Sequence, residues 1–431
     1  MQPSGTLTSI VLAAALLAAG CATAPPPPPT QPPAPVENRL PGVQSLPAPG
    51  IRPVPPPATA APGAAIPPLS TPLPPGLQLP APPAPSPVGP QGQALVMQLL
   101  PPVVTRDRAG WAADIAGAFA ALRLTPSAEN YCAAIAVIEQ ESTFQADPTV
   151  PGLPKIVWRE IETRRAKYMI PKVALDAALS KPSPTGRSYK QRIDALRTER
   201  EMSELFGDMI DELPGGKLLL SGYNPVRTGG PMQVSVAYAE EHARSKPYAT
   251  GKGTLREAVF TRRGGLYFGI AHLLDYPAPY RDPLYRFADF NAGHYSSRNA
   301  AFQQAVASLS GRPLVLDGDL LSYVNGVPSA ASSGTQRAVL SLSRKLDLSH
   351  DEIQAGLRQE KEESFYRTKV YQRVFALADT AAGRPVARET VPRIDLKSPK
   401  IRSKITTGWF ADRVKMRYGH CMNRAALARS L

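Results

Sequence analysis

Asn130-Tyr-Cys-Ala-Ala-Ile-Ala-Val-Ile-Glu-Gln-Glu-Ser-Thr-Phe-Gln-Ala-Asp-Pro148 decides how the rest of the chain is read. Its first half has the composition of a buried helix. Tyr131, Ala134, Ile135, Ile138 and Ser142 fall on one helical stripe, with Cys132 at its border. Thr125 is placed to cap this helix, with Pro126 at the first helical position, where a missing N–H costs nothing. Asp147-Pro148 marks the exit, because the residue before a proline is pushed out of the α region. Two acids, Glu139 and Glu141, stand at the end of the apolar run. A carboxyl there lies in the negative end of the helix dipole and among apolar neighbours. Both disfavour its charged form and raise its pKa, as a general acid near neutral pH requires. On this stretch alone, two solvated glutamates at a helix end are the preferred reading. The rest of the chain changes it.

Working outward, the composition of the 431 residues is uneven. Most of the 49 prolines precede residue 95. Residues 22–95 are Pro/Ala-rich and cannot bury a core, so they read as a disordered tether; in polyproline form, at ~3.1 Å per residue, it spans roughly 200 Å. Before it, Ser9–Gly20 is an apolar run too short to span a bilayer comfortably, as in an export signal. The foldable part begins near residue 96 and is long enough for a sizeable core.

From there the pattern is helical, with little strand periodicity and no internal repeat. Helices are expected at Val96–Leu100, Trp111–Leu122, Ile156–Lys167, and as a pair within 172–212. Arg187–Arg200 reads as an exposed basic helix face. Gly229-Gly-Pro-Met-Gln233 is a tight loop feeding a helix, and another apolar helix ends at Asn291-Ala-Gly293. Ser349 and Glu352 form a capping box for a helix to about Lys361. Glu363–Asp379 follows as a long amphipathic run, and Thr407–Leu427 is the helix that closes the chain.

The formal charge of +14 comes without a nucleic-acid module or interleaved basic and aromatic residues, so nucleic acid is not an expected partner. Anionic envelope polymers suit an exported cationic chain better. Five scattered histidines show no metal-ligand spacing, and no phosphate or dinucleotide loop is present; neither a metal nor a cofactor is expected. Cys132 and Cys421 leave two readings open: a disulfide in an oxidising compartment, or two buried thiols.

Leu17-Ala-Ala-Gly-Cys21 resembles the lipobox of bacterial lipoproteins, although alanine stands three residues before the cysteine and no Lys or Arg precedes the apolar run. The resemblance implies a lipidated (palmitate-bearing) Cys21 after signal removal. Ala22 next to it implies the outer membrane of a Gram-negative cell, with the domain on the periplasmic face.

Glu141-Ser142, Gly230-Pro-Met-Gln233 and Phe290-Asn-Ala-Gly293, in this order, resemble the lysozyme-like core of lytic transglycosylases. The resemblance covers roughly 110–310. It implies that Glu141 protonates the glycosidic oxygen and then acts as base, and that Ser142 helps hold it. Met232 and Gln233 line the sugar cleft, and Asn291 fixes the facing helix end. The sequence departs from that pattern at Phe290, where the family has tyrosine, and in the long segment 143–228. Tyr267, Tyr285 and Tyr295 are candidates for the missing hydroxyl, and Asp147, Glu160, Glu162 and Asp289 for a second carboxylate.

Glu139-Gln-Glu-Ser-Thr-Phe-Gln-Ala-Asp-Pro-Thr-Val-Pro-Gly152 and Gly230-Pro-Met-Gln-Val-Ser235 also resemble the YaiW-like outer-membrane lipoproteins, a domain of unknown function, over most of 96–431. That resemblance implies an envelope lipoprotein, with peptide uptake suggested for a member.

The expectation is therefore a mainly α protein. A signal occupies residues 1–20, and the lipidated cysteine and tether 21–95. A lysozyme-like core fills 96–310, with an insertion at 150–228, and helices over 311–431 pack on it. Two functions follow. One is a monomeric peptidoglycan lytic transglycosylase using Glu141; the other is a non-catalytic lipoprotein that binds glycan or peptide or assists peptide uptake.

Overall fold

Ser127 opens the central helix. Its hydroxyl accepts from Asn130 N at 3.2 Å, whereas the Thr125 carbonyl takes the Ser127 N–H and the Asn130 side-chain amide. The cap is therefore Ser127 rather than Thr125, and Pro126 stands outside the helix. The reason is local: Ser127, with extended backbone, aims its hydroxyl at the first-turn donors, and Thr125 is spent on the preceding turn.

The computed structural model describes residues 90–212, 224–251, 253–324, 326–396 and 405–429, all within one contact unit. The expected signal, Cys21 and nearly all of the expected tether lie outside these residues. In chain order come α1 (Pro90–Leu99), α2 (Arg108–Leu122) and α3 (Ala128–Ser142). Pro90 starts α1, a position proline suits, so helix begins inside the span read as tether.

In α3, every residue from Tyr131 to Ile138 is buried, so the expected stripe is a full collar. The neighbours that close it arrive from far along the chain. Each fully buried Ile or Val in it contributes roughly 1.5–3 kcal/mol of transfer free energy. The exit differs from expectation as well: α3 stops at Ser142, before Asp147-Pro148, on a left-handed Thr143.

Next come α4 (Leu153–Lys167), α5 (Lys172–Leu179), α6 (Tyr189–Asp194) and α7 (Glu199–Asp211). The expected pair within 172–212 is three helices, because Ser188 with Gln191 and Thr198 with Glu201 each build a capping box and start a new one. The basic run 187–200 is thus a short helix, a turn and a cap. These helices close a core of their own around Val157, Ile161, Ile193, Phe206 and Met209.

Strand β1 (Thr228–Gly229) pairs antiparallel with β2 (Val234–Ser235), Thr228 opposite Ser235. Helices α8 (Val236–Ser245), α9 (Leu255–Val259), α10 (Arg262–Leu274), α11 (Pro283–Ala292) and α12 (Ser296–Ser310) follow. Beyond the β3–β4 hairpin (Tyr323–Val324, Val327–Pro328) lie α13 (Gly334–Ser341), α14 (Ser343–Leu346) and α15 (His350–Leu357). The Ser349–Glu352 box forms, but α15 stops at Leu357, short of Lys361. The expected run 363–379 is broken by Thr368, which ends a 3-10 turn (Glu363–Arg367) and caps α16 (Lys369–Ala382). A last hairpin, β5 (Asp395–Leu396) with β6 (Ile405–Thr406), leads into α17 (Thr407–Arg429).

The fold is mainly α, as expected. Helices α12–α16 make a third core around Phe302, Phe365, Val374 and Phe375. Helix α17 does not join it. Phe410, Ala411, Val414, Cys421 and Ala425 return to the central core with α1–α3 and α8–α11, and Cys421 is bonded to Cys132 with 5.5 Å between Cα atoms. Among the described residues no helix is long and apolar enough to cross a membrane.

Candidate functional site

The two acids of α3 part company at its end. Glu139 faces α17, its carboxylate 3.8 Å from Arg417 Nε. Glu141, two residues on, points elsewhere, since residues two apart cannot share a helix face. It is half-buried, and among the described residues no donor is hydrogen-bonded to its carboxyl. Burial, and then the negative charge of Glu199, push its pKa up to about 7. Glu199 is the first residue of α7. The start of that helix is docked behind α3 by an isolated bridge between Thr149 and Thr198, by Val150 N donating to Arg197 O at 2.8 Å, and by the Asp147–Arg200 ion pair at 3.0 Å. Helix α7 thus supplies an acid whose charge acts on Glu141.

The backbone after Glu141 is strained. Thr143 and Phe144 are consecutive left-handed residues, with φ of 50° and 58°. A β-branched and an aromatic residue both resist that region, and such outliers gather at functional sites. Phe144 is held there by packing edge-on against Trp111, ring centroids 5.1 Å apart. Ser142 does not reach across to Glu141: its hydroxyl donates to Ile138 O at 3.0 Å, within its own helix.

The second motif is a turn seated on α10. Gly230 has φ of 73°, and a Cβ there would lie 2.3 Å from Val259 O, so only glycine fits. Gln233 is left-handed as well, with φ of 49°. Its amide donates to Gly230 O at 3.2 Å and its side-chain oxygen accepts from Thr228 at 3.4 Å, leaving it half-buried. Met232 has no exposed surface and fills the space beside Gly269, where any Cβ would strike it. It anchors the turn to the core rather than lining a cleft.

The third motif ends α11 on Gly293, with φ of 106°, followed by left-handed Tyr295. Asn291 Oδ1 accepts from the buried Thr407 hydroxyl at 2.9 Å, tying the end of α11 to the start of α17. Phe290 stacks on Phe410 and packs against His272. The candidate substitutes for its hydroxyl are engaged elsewhere: Tyr295 donates to Pro277 O at 3.1 Å, and Tyr267 packs among Tyr248, Phe268 and His242. Neither these nor Tyr285 is hydrogen-bonded to Glu141.

The candidate second carboxylates are also committed. Glu160 pairs with Arg164 at 2.6 Å and Glu162 with Arg165 at 2.7 Å. Asp289 has no exposed surface and accepts from Tyr280 OH at 2.8 Å, Tyr295 N at 2.9 Å and Ser297 N at 2.7 Å, which locks the α11–α12 junction. Burial still lifts its pKa to about 6.

Three histidines that looked unrelated in sequence come together. His272 and His294 stack 4.6 Å apart, Tyr276 stacks on His294 at 3.9 Å, and the Tyr238 ring lies 4.5 Å from His272 and 5.7 Å from His242. Burial lowers His272 to about 3 and His294 to about 4, so both are neutral. His242 is turned to Asp275 at 3.1 Å. Among the described residues no group of three or more His, Cys, Asp or Glu is arranged to hold a metal.

Sequence reasoning missed Glu199, the left-handed pair after Glu141, and this imidazole–tyrosine cluster. The Thr198–Glu201 capping box does mark where α7 starts; nothing in the sequence puts that start opposite Glu141.

These features define a mainly helical protein built around a protonatable carboxyl at the strained end of its central helix. The chain belongs to a family described as a protein of unknown function, DUF1615, whose profile matches residues 104–424. It is 47% identical over 331 residues to the uncharacterized protein YaiW of Escherichia coli strain K12, a match covering 77% of this chain and 90% of that relative. No solved structure matches.

Proposed function

We propose that this protein cleaves or remodels peptidoglycan glycan strands without hydrolysis, with Glu141 as general acid and then base. The observation that supports this most is the setting of Glu141: half-open, with no hydrogen-bond donor on its carboxyl among the described residues, and protonated up to about pH 7 at a strained helix end. A protonated Glu141 gives its proton to the glycosidic oxygen as the C1–O bond breaks. The substrate's N-acetyl group stabilises the cationic carbon, a departure from the two-carboxylate scheme. The carboxylate then takes the proton of the sugar 6-hydroxyl, whose oxygen closes the anhydro ring. On this reading Gln233 and Asn291 contact the glycan, and Cys21 carries a lipid that anchors the chain at the outer membrane.

The test is the mass of muropeptides released from purified peptidoglycan by wild type and by Glu141→Gln. Anhydro-terminated products from the wild type alone support the proposal. Reducing-end products mean hydrolysis instead. No release by the wild type overturns catalysis.

A second reading, a groove that holds glycan or peptide without turnover, draws on Phe290 and Met232. One lacks the hydroxyl the active family places near the acid, and the other is sealed in the core. It is supported if both proteins bind peptidoglycan equally and release nothing.

A further inference from the structure

The corner between α4 and α5 carries an apolar tip in water. Tyr168 is 51% exposed, Met169 88% and Val173 81%. The tip is rigidly held. Ile170 N donates to Arg165 O at 2.9 Å, Met169 N to Ala166 O at 3.2 Å, and Arg165 Nη1 to Ile170 O at 3.1 Å, while Ile170 itself is buried. This is the Schellman pattern of helix ends, whose left-handed position is normally glycine. Here Met169 occupies it, with φ of 52°. A bulky residue is strained there, and its side chain, almost fully in solvent, gains nothing from packing that offsets the strain.

Cations frame the tip. Lys167 lies 5.6 Å from the Tyr168 ring, Arg165 pairs with Glu162 at 2.7 Å, and Lys172 pairs with Asp176 at 2.6 Å. The Lys172–Asp176 pair is exposed, and such pairs contribute little. Residues 153–187 carry eight Lys or Arg against three Asp or Glu, a net +5. A tyrosine and aliphatic side chains at the apex, with lysine stems flanking them, suit the boundary between lipid headgroups and acyl chains. Phosphate-bearing headgroups match the cationic rim.

We infer that the Tyr168–Val173 corner of the insertion is a membrane-contact element that seats Tyr168, Met169 and Val173 in an anionic lipid surface. The inference is independent of the chemistry proposed for Glu141.

The experiment uses the full chain with Cys21→Ser throughout, so that no attached lipid contributes. Vesicles of phosphatidylcholine with and without phosphatidylglycerol are the probe, and Tyr168→Trp is the reporter. Its emission should shift to the blue with phosphatidylglycerol vesicles and not with phosphatidylcholine alone. Met169→Asp should reduce vesicle binding roughly tenfold, the loss expected when one large apolar side chain no longer partitions. Met169→Gly separates this role from a structural one: it should weaken vesicle binding while raising the melting temperature. No blue shift, unchanged binding by Met169→Asp, or a concentration-dependent shift without vesicles (a second copy on the tip) overturns the inference.

Discussion

At Glu141 stability and chemistry pull in opposite directions. A carboxyl whose folded pKa is raised from 4.5 to about 7 favours the fold below pH 4.5, and the wild type loses that contribution as pH rises through this window. Glu141→Gln cannot ionise, so it should be more stable than the wild type above pH 7 and no more stable below pH 4.5. Discounted for the half-open setting, the gain should be on the order of 1–2 kcal/mol in chemical denaturation. If the proposed chemistry holds, turnover by the wild type falls as pH rises beyond about 7, when the acid form disappears. Thr143 offers a second check. It is exposed, left-handed and β-branched, so Thr143→Gly should stabilise the protein by about 1 kcal/mol in the same assay. A loss would mean that the Thr143 side chain contributes more than the strain costs. Both acids and the helix carrying them were legible from apolar spacing; the left-handed pair was not, because neither Thr143 nor Phe144 favours that conformation.

Helix α17 shows what separates a helix from its placement. Its existence was readable from sequence. The helix crosses back to α3, rather than joining α12–α16: Phe410, Ala411, Val414 and Ala425 are buried in the central core, and Cys421 meets Cys132 across a separation of 289 residues. Closing so long a loop restricts the unfolded chain strongly. Replacing both cysteines with alanine should lower stability by about 2–4 kcal/mol, measured by denaturant unfolding. The same helix holds Asn291 through Thr407, so the third motif depends on an element over a hundred residues away. Helix boundaries failed where side chains capped locally: Ser127, Ser188, Thr198 and Thr368 each outcompeted the hydrophobic pattern. Such contests turn on a hydroxyl's position relative to two or three N–H groups, which spacing alone does not encode.

For the whole molecule, three cores share one chain. Helices α4–α7 close their own core, tied to the α3 exit through residues 147–150 and 197–200. Small cores open at lower free energy than large ones. Hydrogen exchange read by mass spectrometry should therefore show α4–α7 opening as a unit, faster than α3 and α10. Uniform protection would rule that out. The buried imidazoles add a pH dependence of opposite sign to that of Glu141. With folded pKa values of about 3 and 4 against 6.5, His272 and His294 stabilise the fold fully above pH 6.5 and progressively less as pH falls. His272→Leu should flatten that slope between pH 6.5 and 4, as followed by denaturation midpoints.

Periodicity and turn chemistry determined the helical class, the central helix with its two acids, and the glycine turn before Gln233. They suffice there because each is a contest among residues within one or two turns of one another. Tertiary structure decided that Met232 is an anchor, that Asp289 is a lock, and that the charge of Glu199 acts on Glu141. It also drew three scattered histidines into one cluster around Tyr238, two of them stacked. These outcomes depend on which distant surfaces bury each other, and the free energy of that burial belongs to pairs of elements that no local window contains.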